Sequence, residues 1–487
     1  MISRRKILET ALAAPFIIGS MRTSASLAKQ ADSGSSADHT AQVLATLAPG
    51  KWSGDVVLAG HHIFNLDMNV IAPGNTCVPV TNNDNFFPFS SGVYCGGKKR
   101  YFSISDGGHA DFNGGGVCYF DCTTGKWVQS ETPARYSHNP SDVTEQPSCG
   151  GVSPWGTGPY NGDAWPSEST NLWYAWPNTL GHFVPIAGHT YSQVEWCPEL
   201  NLIHRYAIGG FTGNAERNQG IWTCDPDTGL LNQNPKQATS GGVDFFKSTD
   251  GFNFVMPNKS GAAFWIKECQ KLFVFQTGTG GAGHYDPVAK TVQMTYDWTV
   301  HNSGFGGATG FDADFVNGCC GCVIDDPINP GHRAIVALTT TDGLPYPATD
   351  ILTCYPKVDS PPPSGSRYTV VPIPFGFGFG PTAPVSHDSV WFDAAKYVPG
   401  STKIIVFDYF RSGGTLYLLD KTTWNWSGPI SGATLPGTWP AGSGYRLIQV
   451  MDDYVTADYV PVMLVWPSPA GPGGSRVHYF KIPTSLL

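Results

Sequence analysis

The sequence of 487 residues is poor in charge and has no long apolar run. Charged residues make up 14% of the chain, whereas ordinary globular domains hold roughly a quarter. Beyond the N-terminal region no segment reaches 18 consecutive apolar residues, so we expect no membrane-spanning helix. No long run of lysine or arginine stands out and the formal net charge is −9, which argues against nucleic acid as a partner.

The motifs G-x-S-x-G and H-E-x-x-H and the phosphate-binding loop are missing from the sequence as well. Any active or binding site must therefore be assembled from residues that are distant in sequence. Glycine (58 residues), proline (39) and tryptophan (15) are abundant instead, which predicts many turns and few long helices.

The first 28 residues have the pattern of an export signal. Arg4 and Arg5 lie in a positive start, residues 11–19 are apolar, and residues 26–28 provide a small-residue cleavage pattern. The adjacent arginines favour the twin-arginine route, with an ordinary secretory signal as the alternative. We therefore expect an exported protein of the periplasm or the extracellular space.

All twelve cysteines follow the predicted signal. An even number of cysteines in an exported protein predicts disulfides, whose pairing a single sequence leaves open. The cluster Cys319-Cys320-Gly321-Cys322 could instead bind a metal ion, but no second cluster completes the spacing of a zinc site. We therefore expect disulfides there too.

A repeated pattern of short strands carries the prediction of the fold. Residues 101–127 contain a strand ending in Gly107-Gly108, a polar loop, a second strand ending at Asp121, a tight turn, and Trp127 at the start of a third strand. The glycines allow a sharp turn, and the aspartate caps the next turn through its side chain. Residues 404–426 repeat this unit closely, with the same order of double glycine, aspartate and tryptophan.

Weaker copies of the unit complete a set of six, at residues 205–229, 272–288, 334–355 and 462–481. Another short strand precedes the copies, for example at residues 92–95, 261–266 and 389–392. Four short strands that recur at such spacing describe the blades of a β-propeller. A β-sandwich with chance turns is the alternative.

These residues resemble the kelch family of β-propellers, which includes the galactose oxidase-like propellers and carries a double glycine, an aromatic pair and a tryptophan. The resemblance covers residues 88–487 and implies an all-β, six- or seven-bladed kelch-like propeller of four-stranded blades. A strand near residues 49–52 would complete the last blade, or residues 51–87 would form a seventh blade.

The resulting domain organisation has three parts. Residues 1–28 are the signal, residues 29–50 are a linker with a possible blade-closing strand, and residues 51–487 are a single propeller domain. A tryptophan-rich stretch near residues 130–185 interrupts the repeat spacing and is either an additional blade or a long inserted loop.

Candidate site residues cluster on one face of the predicted ring. Because strand direction alternates, the loop before strand one and the loop between strands two and three open on the same face. The candidate catalytic residues that lie in or beside such loops are His109, His189, Tyr191, Arg205, His387 and Arg411. Each also has a structural interpretation, as a partner of loop backbone, a residue that fixes blade closure, or a solvated charge.

Further candidates for ligand binding lie in or before the inserted stretch. They are His138, Trp155, Trp165, Trp173 and Trp176. The tryptophans would stack on sugar rings, or they form the core of the loop. The same histidines could bind a divalent metal ion, although their separation gives no local spacing signature.

Two functions fit this set of residues. A non-catalytic propeller that binds a carbohydrate or protein ligand is favoured, because catalytic motifs are missing. The alternative is β-elimination from uronate polysaccharides, which needs a base, an acid and a cation near the carboxylate. In this respect the His, Tyr and Arg set resembles propeller polysaccharide lyases. A copper-radical oxidase is not predicted, because the Tyr-His order it needs is reversed at His284-Tyr285 and His478-Tyr479.

Overall fold

The chain folds as a ring of small antiparallel sheets, seen in a computed structural model. The residues that the structure describes are 38–63, 92–104, 116–131, 175–177, 183–185, 194–206, 221–232, 262–276, 281–289, 291–296, 319–339, 352–366, 368, 371–372, 395–408, 414–435, 447–466 and 476–487. The predicted export signal lies outside them.

Six four-stranded blades form the β-propeller, as the repeat predicts, and each blade keeps its strands in simple up-and-down order. Blades one to three consist of β1 (Gly92–Cys95), β2 (Arg100–Ile104), β3 (Val117–Asp121) and β4 (Lys126–Glu131); β7 (Val194–Cys197), β8 (Leu202–Tyr206), β9 (Ile221–Asp225) and β10 (Leu230–Leu231); and β11 (Ala262–Ile266), β12 (Lys271–Gln276), β13 (Gly281–Asp286) and β14 (Thr291–Tyr296). Blades four to six consist of β15 (Cys319–Asp325), β16 (Arg333–Thr339), β17 (Leu352–Tyr355) and β18 (Val371–Pro372); β19 (Ala395–Tyr397), β20 (Lys403–Asp408), β21 (Thr415–Asp420) and β22 (Trp426–Ser427); and β23 (Leu447–Val450), β24 (Tyr459–Trp466) and β25 (Arg476–Pro483) with an N-terminal strand.

The remaining regular elements are small. Residues 175–185 of the inserted stretch contain a separate two-stranded sheet of β5 (Ala175–Pro177) and β6 (Phe183–Pro185), not a blade. In the described part of the chain, the α-helix α1 (His39–Thr46) precedes the ring, and Asp38 caps it through the Ala41 amide. Short 3₁₀ helices are described at Pro198–Leu200, Asp452–Tyr454 and Thr484–Leu486.

The N-terminal segment 50–56 supplies the fourth strand of blade six. The amides of Gly50, Ser53 and Val56 donate to carbonyl oxygens of β25 at 2.8–2.9 Å. Trp52 bridges Phe480 of the same strand. The interpretation in which an N-terminal strand completes the last blade is therefore confirmed, and the ring has six blades.

The predicted aspartate caps are present in the turns between strands three and four. Asp121 Oδ1 accepts the Thr123 amide at 2.8 Å, and Asp420 Oδ1 accepts the Thr422 amide at 2.9 Å. Asp225 and Asp286 cap the corresponding turns of blades two and three. The two best copies of the sequence repeat thus occupy corresponding places in the ring.

The hydrophobic cores lie between neighbouring blades. Trp127 of β4 is 2% exposed and packs edge-on against Tyr101, with ring centroids 6.1 Å apart. Its cluster also contains Met463 and Val465 of blade six and Leu44 of α1. Burial of apolar surface therefore ties each blade to the next instead of stabilising single blades.

One expectation from the sequence is untested and another needs correction. The strand expected at residues 389–392 lies outside the described residues, and the first described strand of blade five is β19. The disulfide prediction is not supported: the eight cysteines that the structure describes in full are free thiols, and seven of them are buried. They occupy blade cores as small apolar side chains.

Candidate functional site

The two faces of the ring differ in the length of their connections. Turns between strands one and two and between strands three and four are mostly short, as at residues 96–99 and 122–125, and they form what we call the tight-turn face. Most connections on the other side are longer, as at residues 105–116 and 132–193, and they form the long-loop face. Long connections are where propellers and other scaffolds hold functional residues.

The connections of the long-loop face contain most candidate residues predicted from the sequence. His109 lies between β2 and β3, His387 lies before β19, and Arg411 lies between β20 and β21. The segment between β4 and β7 contains His138, Trp155, Trp165, Trp173, His189 and Tyr191. These positions lie outside the described residues, so their convergence stays a prediction. Trp176 lies in β5, where its backbone pairs with Val184.

Arg205 is the candidate catalytic residue that the structure describes in full. It lies near the end of β8, beside the long-loop face, and its side chain is 0% exposed. Its Nε donates to the carbonyl oxygen of Ile104, the last residue of β2, at 3.0 Å across the junction of blades one and two. The contact of Arg205 with a ligand carboxylate stays a prediction.

Two buried histidines have partners within a blade or across a blade junction, which gives them structural roles. His204 Nδ1 lies 3.2 Å from Cys197 Sγ, and burial lowers the pKa of His204 to about 4 while it raises the pKa of the thiol. The pair is therefore a neutral imidazole with a thiol. His284 bonds Thr295 Oγ1 at 2.8 Å and the Val358 carbonyl at 2.6 Å, and burial likewise lowers its pKa to about 4.

The tight-turn face carries a polar pattern that the sequence analysis missed. At three alternate junctions an aromatic donor near the end of an innermost strand bonds a carboxylate of the preceding blade. Tyr94 Oη donates to Asp453 at 2.7 Å, and Trp265 Nε1 donates to Glu199 at 2.6 Å. The third pair joins Tyr397 to Asp325. The sequence has an aromatic residue at this position of these three blades, but Trp196 of blade two shares the position, so the pattern alone does not identify the contacts.

The junction of blades four and five has the most elaborate of these contacts. Lys421 Nζ lies 3.0 Å from Asp325 Oδ2 and 2.5 Å from Tyr397 Oη, and Arg333 also pairs with Asp325. Burial alone would raise the pKa of Asp325, but hydrogen bonds from Tyr397 and Lys421 bring it below the usual value. Burial and the Asp325 carboxylate raise the pKa of Tyr397, so this phenol stays neutral. These groups satisfy one another and hold two blades together.

Among the residues that the structure describes, no three His, Cys, Asp or Glu side chains are placed to share a metal ion. The predicted metal ligands are histidines of the long-loop face and remain a prediction. Within the same part of the chain, no helix is both long and apolar enough to cross a membrane.

Comparison with known proteins gives distant structural likenesses. No family model matches the chain, and no curated protein matches it in sequence. A mutant of the sialidase NanB from Streptococcus pneumoniae is 10% identical, with 86% of this chain and 71% of that chain covered and a TM-score of 0.38. The α-L-arabinofuranosidase PaAbf62A from Podospora anserina is 8% identical, with 60% and 92% covered and a TM-score of 0.32. Scores this low carry no functional argument.

Proposed function

We propose that this chain is an exported propeller that binds a carbohydrate at its long-loop face. The observation that carries the proposal is the asymmetry of the connections. Most turns of the tight-turn face are short, several are capped by aspartates, and polar side chains described there bond one another. The long-loop face holds the long connections, and these contain the predicted histidines and tryptophans.

The residue types on the long connections fit a sugar ligand. Tryptophan presents a flat apolar face to the C–H surface of a sugar ring, while its indole N–H and neighbouring histidines supply hydrogen bonds. Trp155, Trp165 and Trp173 lie on one connection together with His138. A protein ligand at the same face is the other possible occupant.

Calorimetric titration of the purified protein with a panel of neutral and uronate polysaccharides tests this proposal. We expect one class to bind, and Trp155→Ala and Trp173→Ala to weaken binding about tenfold or more, the usual loss for an aromatic anchor. Val288→Ala is the matched control, because Val288 is 79% exposed on the tight-turn face. If the control weakens binding as much as the tryptophan variants, or if no polysaccharide binds, the proposal is wrong.

A lyase activity is the second candidate, supported by the His, Tyr and Arg set on connections of one face. In that function Tyr191 acts as base or acid, His109 and His387 assist, and a cation offsets the enolate charge. The products are unsaturated uronates, so their ultraviolet absorbance reports the reaction. Tyr191→Phe should then abolish product formation while leaving binding within a few-fold. If the protein binds a uronate polysaccharide but forms no unsaturated product, with or without Mn²⁺ or Ca²⁺, the lyase candidate is wrong and only the binding function remains.

A further inference from the structure

The ring is closed by contacts between the two ends of the described chain. We call residues 38–57 the clasp. Besides its strand in blade six, the clasp receives both hydrogen bonds of Lys481 Nζ, which donates to the Leu44 and Leu47 carbonyl oxygens at 2.8 Å. Thr40 Oγ1 bonds Tyr479 Oη at 2.7 Å. Since β25 follows the other described blade strands in the sequence, the ring can close only after β25 has been synthesised.

The clasp also binds blade one. The Thr40 amide donates to the Cys122 carbonyl, and the Leu58 amide just beyond the clasp donates to the Gly125 carbonyl. Lys99 Nζ pairs with Asp38 Oδ2 at 2.8 Å. The clasp therefore joins the first blade to the last blade, immediately downstream of the predicted export signal.

Burial of the thiols depends on these junctions. Cys118 and Cys122 are 0% exposed in a core that contains Leu44 and Val56 of the clasp and Met463 of blade six. The other buried thiols lie in the cores of other blades and junctions, at Cys95, Cys197, Cys224, Cys322 and Cys354. Burial shields all seven thiols from reagents, and it raises the pKa of Cys122 and of the five in other blades and junctions; closed blades therefore leave these thiols unreactive. An open chain exposes twelve cysteines to oxidation.

We propose that the propeller closes in the cytoplasm with these thiols reduced, and that it crosses the membrane as a closed ring. The inference rests on the proposed export. A chain that entered an oxidising compartment unfolded would form disulfides before its blades packed, because thiols oxidise there. Blade cores that hold each cysteine as a single small side chain cannot accommodate such bonds without backbone movement. The paired Arg4 and Arg5 match the route that carries folded proteins.

The test compares the full chain with its own signal, the double variant Arg4→Lys/Arg5→Lys, and Arg22→Lys as a matched control. All three keep the net charge and leave the described fold unchanged. In the exported protein, the seven buried cysteines should resist alkylation in the native state. They should react completely after denaturation without any reductant, as mapped by mass spectrometry. The double variant should lose the exported form at least tenfold, while the control should not.

The outcomes separate the inference from its premises. Exported native protein whose buried cysteines react only after reduction would overturn the inference and leave export standing. Undiminished export of the double variant would overturn it as well. If the chain is never found outside the cytoplasm, both the proposed export and the inference are wrong. Ligand binding does not enter this experiment, so the binding proposal is tested independently.

Discussion

Removing the indole of Trp127 should cost far more stability than removing that of Trp426, its counterpart in the repeat. Trp127 is 2% exposed, and its ring contacts Tyr101 and Phe120 at centroid distances of 6.1 and 5.7 Å. It packs in the core at the junction of blades six and one, beside the clasp. Trp426 opens β22, the outermost strand of blade five, and is only half-buried.

The expected magnitudes follow from this difference in packing. Trp127→Ala leaves a large cavity in a sealed junction and should lower the free energy of unfolding by about 3–5 kcal/mol. Trp426→Ala removes a partly solvated ring at an edge strand and should cost about 1–2 kcal/mol. Trp127→Phe keeps most of the packing and should fall between these values.

Urea unfolding followed by far-ultraviolet circular dichroism measures the three variants without relying on tryptophan fluorescence. The midpoints should shift while the slopes stay constant, which would show that each variant changes stability and not the unfolded state. Equal losses for Trp127→Ala and Trp426→Ala would refute the reasoning. In that case the indole at the junction of blades six and one would contribute no more stability than the indole on the outermost strand of blade five.

Three further predictions test other parts of the ring. Gly125→Ala should lower the free energy of unfolding by about 2 kcal/mol or more, because Gly125 has φ +69° and an added Cβ would lie 2.5 Å from the His39 ring. Gly400→Ala is the control: Gly400 has φ +82° but open space around it, so the same urea assay should show a loss of only about 1 kcal/mol. The free energy of unfolding should fall as the pH drops from about 6.5 to about 4. Burial lowers the pKa of His204 and His284 to about 4, so between these pH values the two histidines are protonated in the unfolded chain but not in the folded one. Urea midpoints that do not change across this range would contradict the assignment. Asp325→Asn should lower the free energy of unfolding by about 1–2 kcal/mol, because it removes the charge that pairs with Lys421 and Arg333. The loss should be smaller in about 1 M salt, since the carboxylate is half-exposed and salt screens its ion pairs. A loss that salt leaves unchanged would show that the charge is not the cause.

The propeller could be predicted from sequence because each repeat has a strong local signal. The aspartate that ends strand three bonds the amides of its own turn, so its effect does not depend on distant residues. Blade four shows the limit of this signal, because Tyr355 ends its third strand. There Asp326 and Asp359 bond the backbone of Lys357 and Arg333 from neighbouring turns. Because aspartates of neighbouring turns replace the aspartate at the end of strand three, blade four has no fixed spacing between strand and cap that the sequence could show.

The blade count required a contact between residues far apart in sequence. Residues 50–56 look like a weak strand, and only their pairing with β25 makes them part of blade six. The same limit applies to the cysteines. An even count suggested disulfides, but the eight described cysteines are free thiols, and seven of them are buried in cores between strands or blades. The count alone does not show which cysteines come close together in the fold.

For the candidate site, the sequence predicted the connection on which each residue lies but not the state of its side chain. Arg205 illustrates the difference, since its strand position was expected and its complete burial against the Ile104 carbonyl was not. The cluster of Asp325, Tyr397 and Lys421 was missed altogether, because its members come from two blades and meet only across a junction.

The two faces of the ring differ in what their polar side chains contact. On the tight-turn face, carboxylates of blades two, four and six accept hydrogen bonds from Trp265, Tyr397 and Tyr94 of the next blade. A short turn brings such a pair together at little entropic cost, and the pair then holds two blades in register. Polar groups that bond one another in this way have little capacity left for a ligand. The longer connections lie on the opposite face, which is where we propose that a ligand binds.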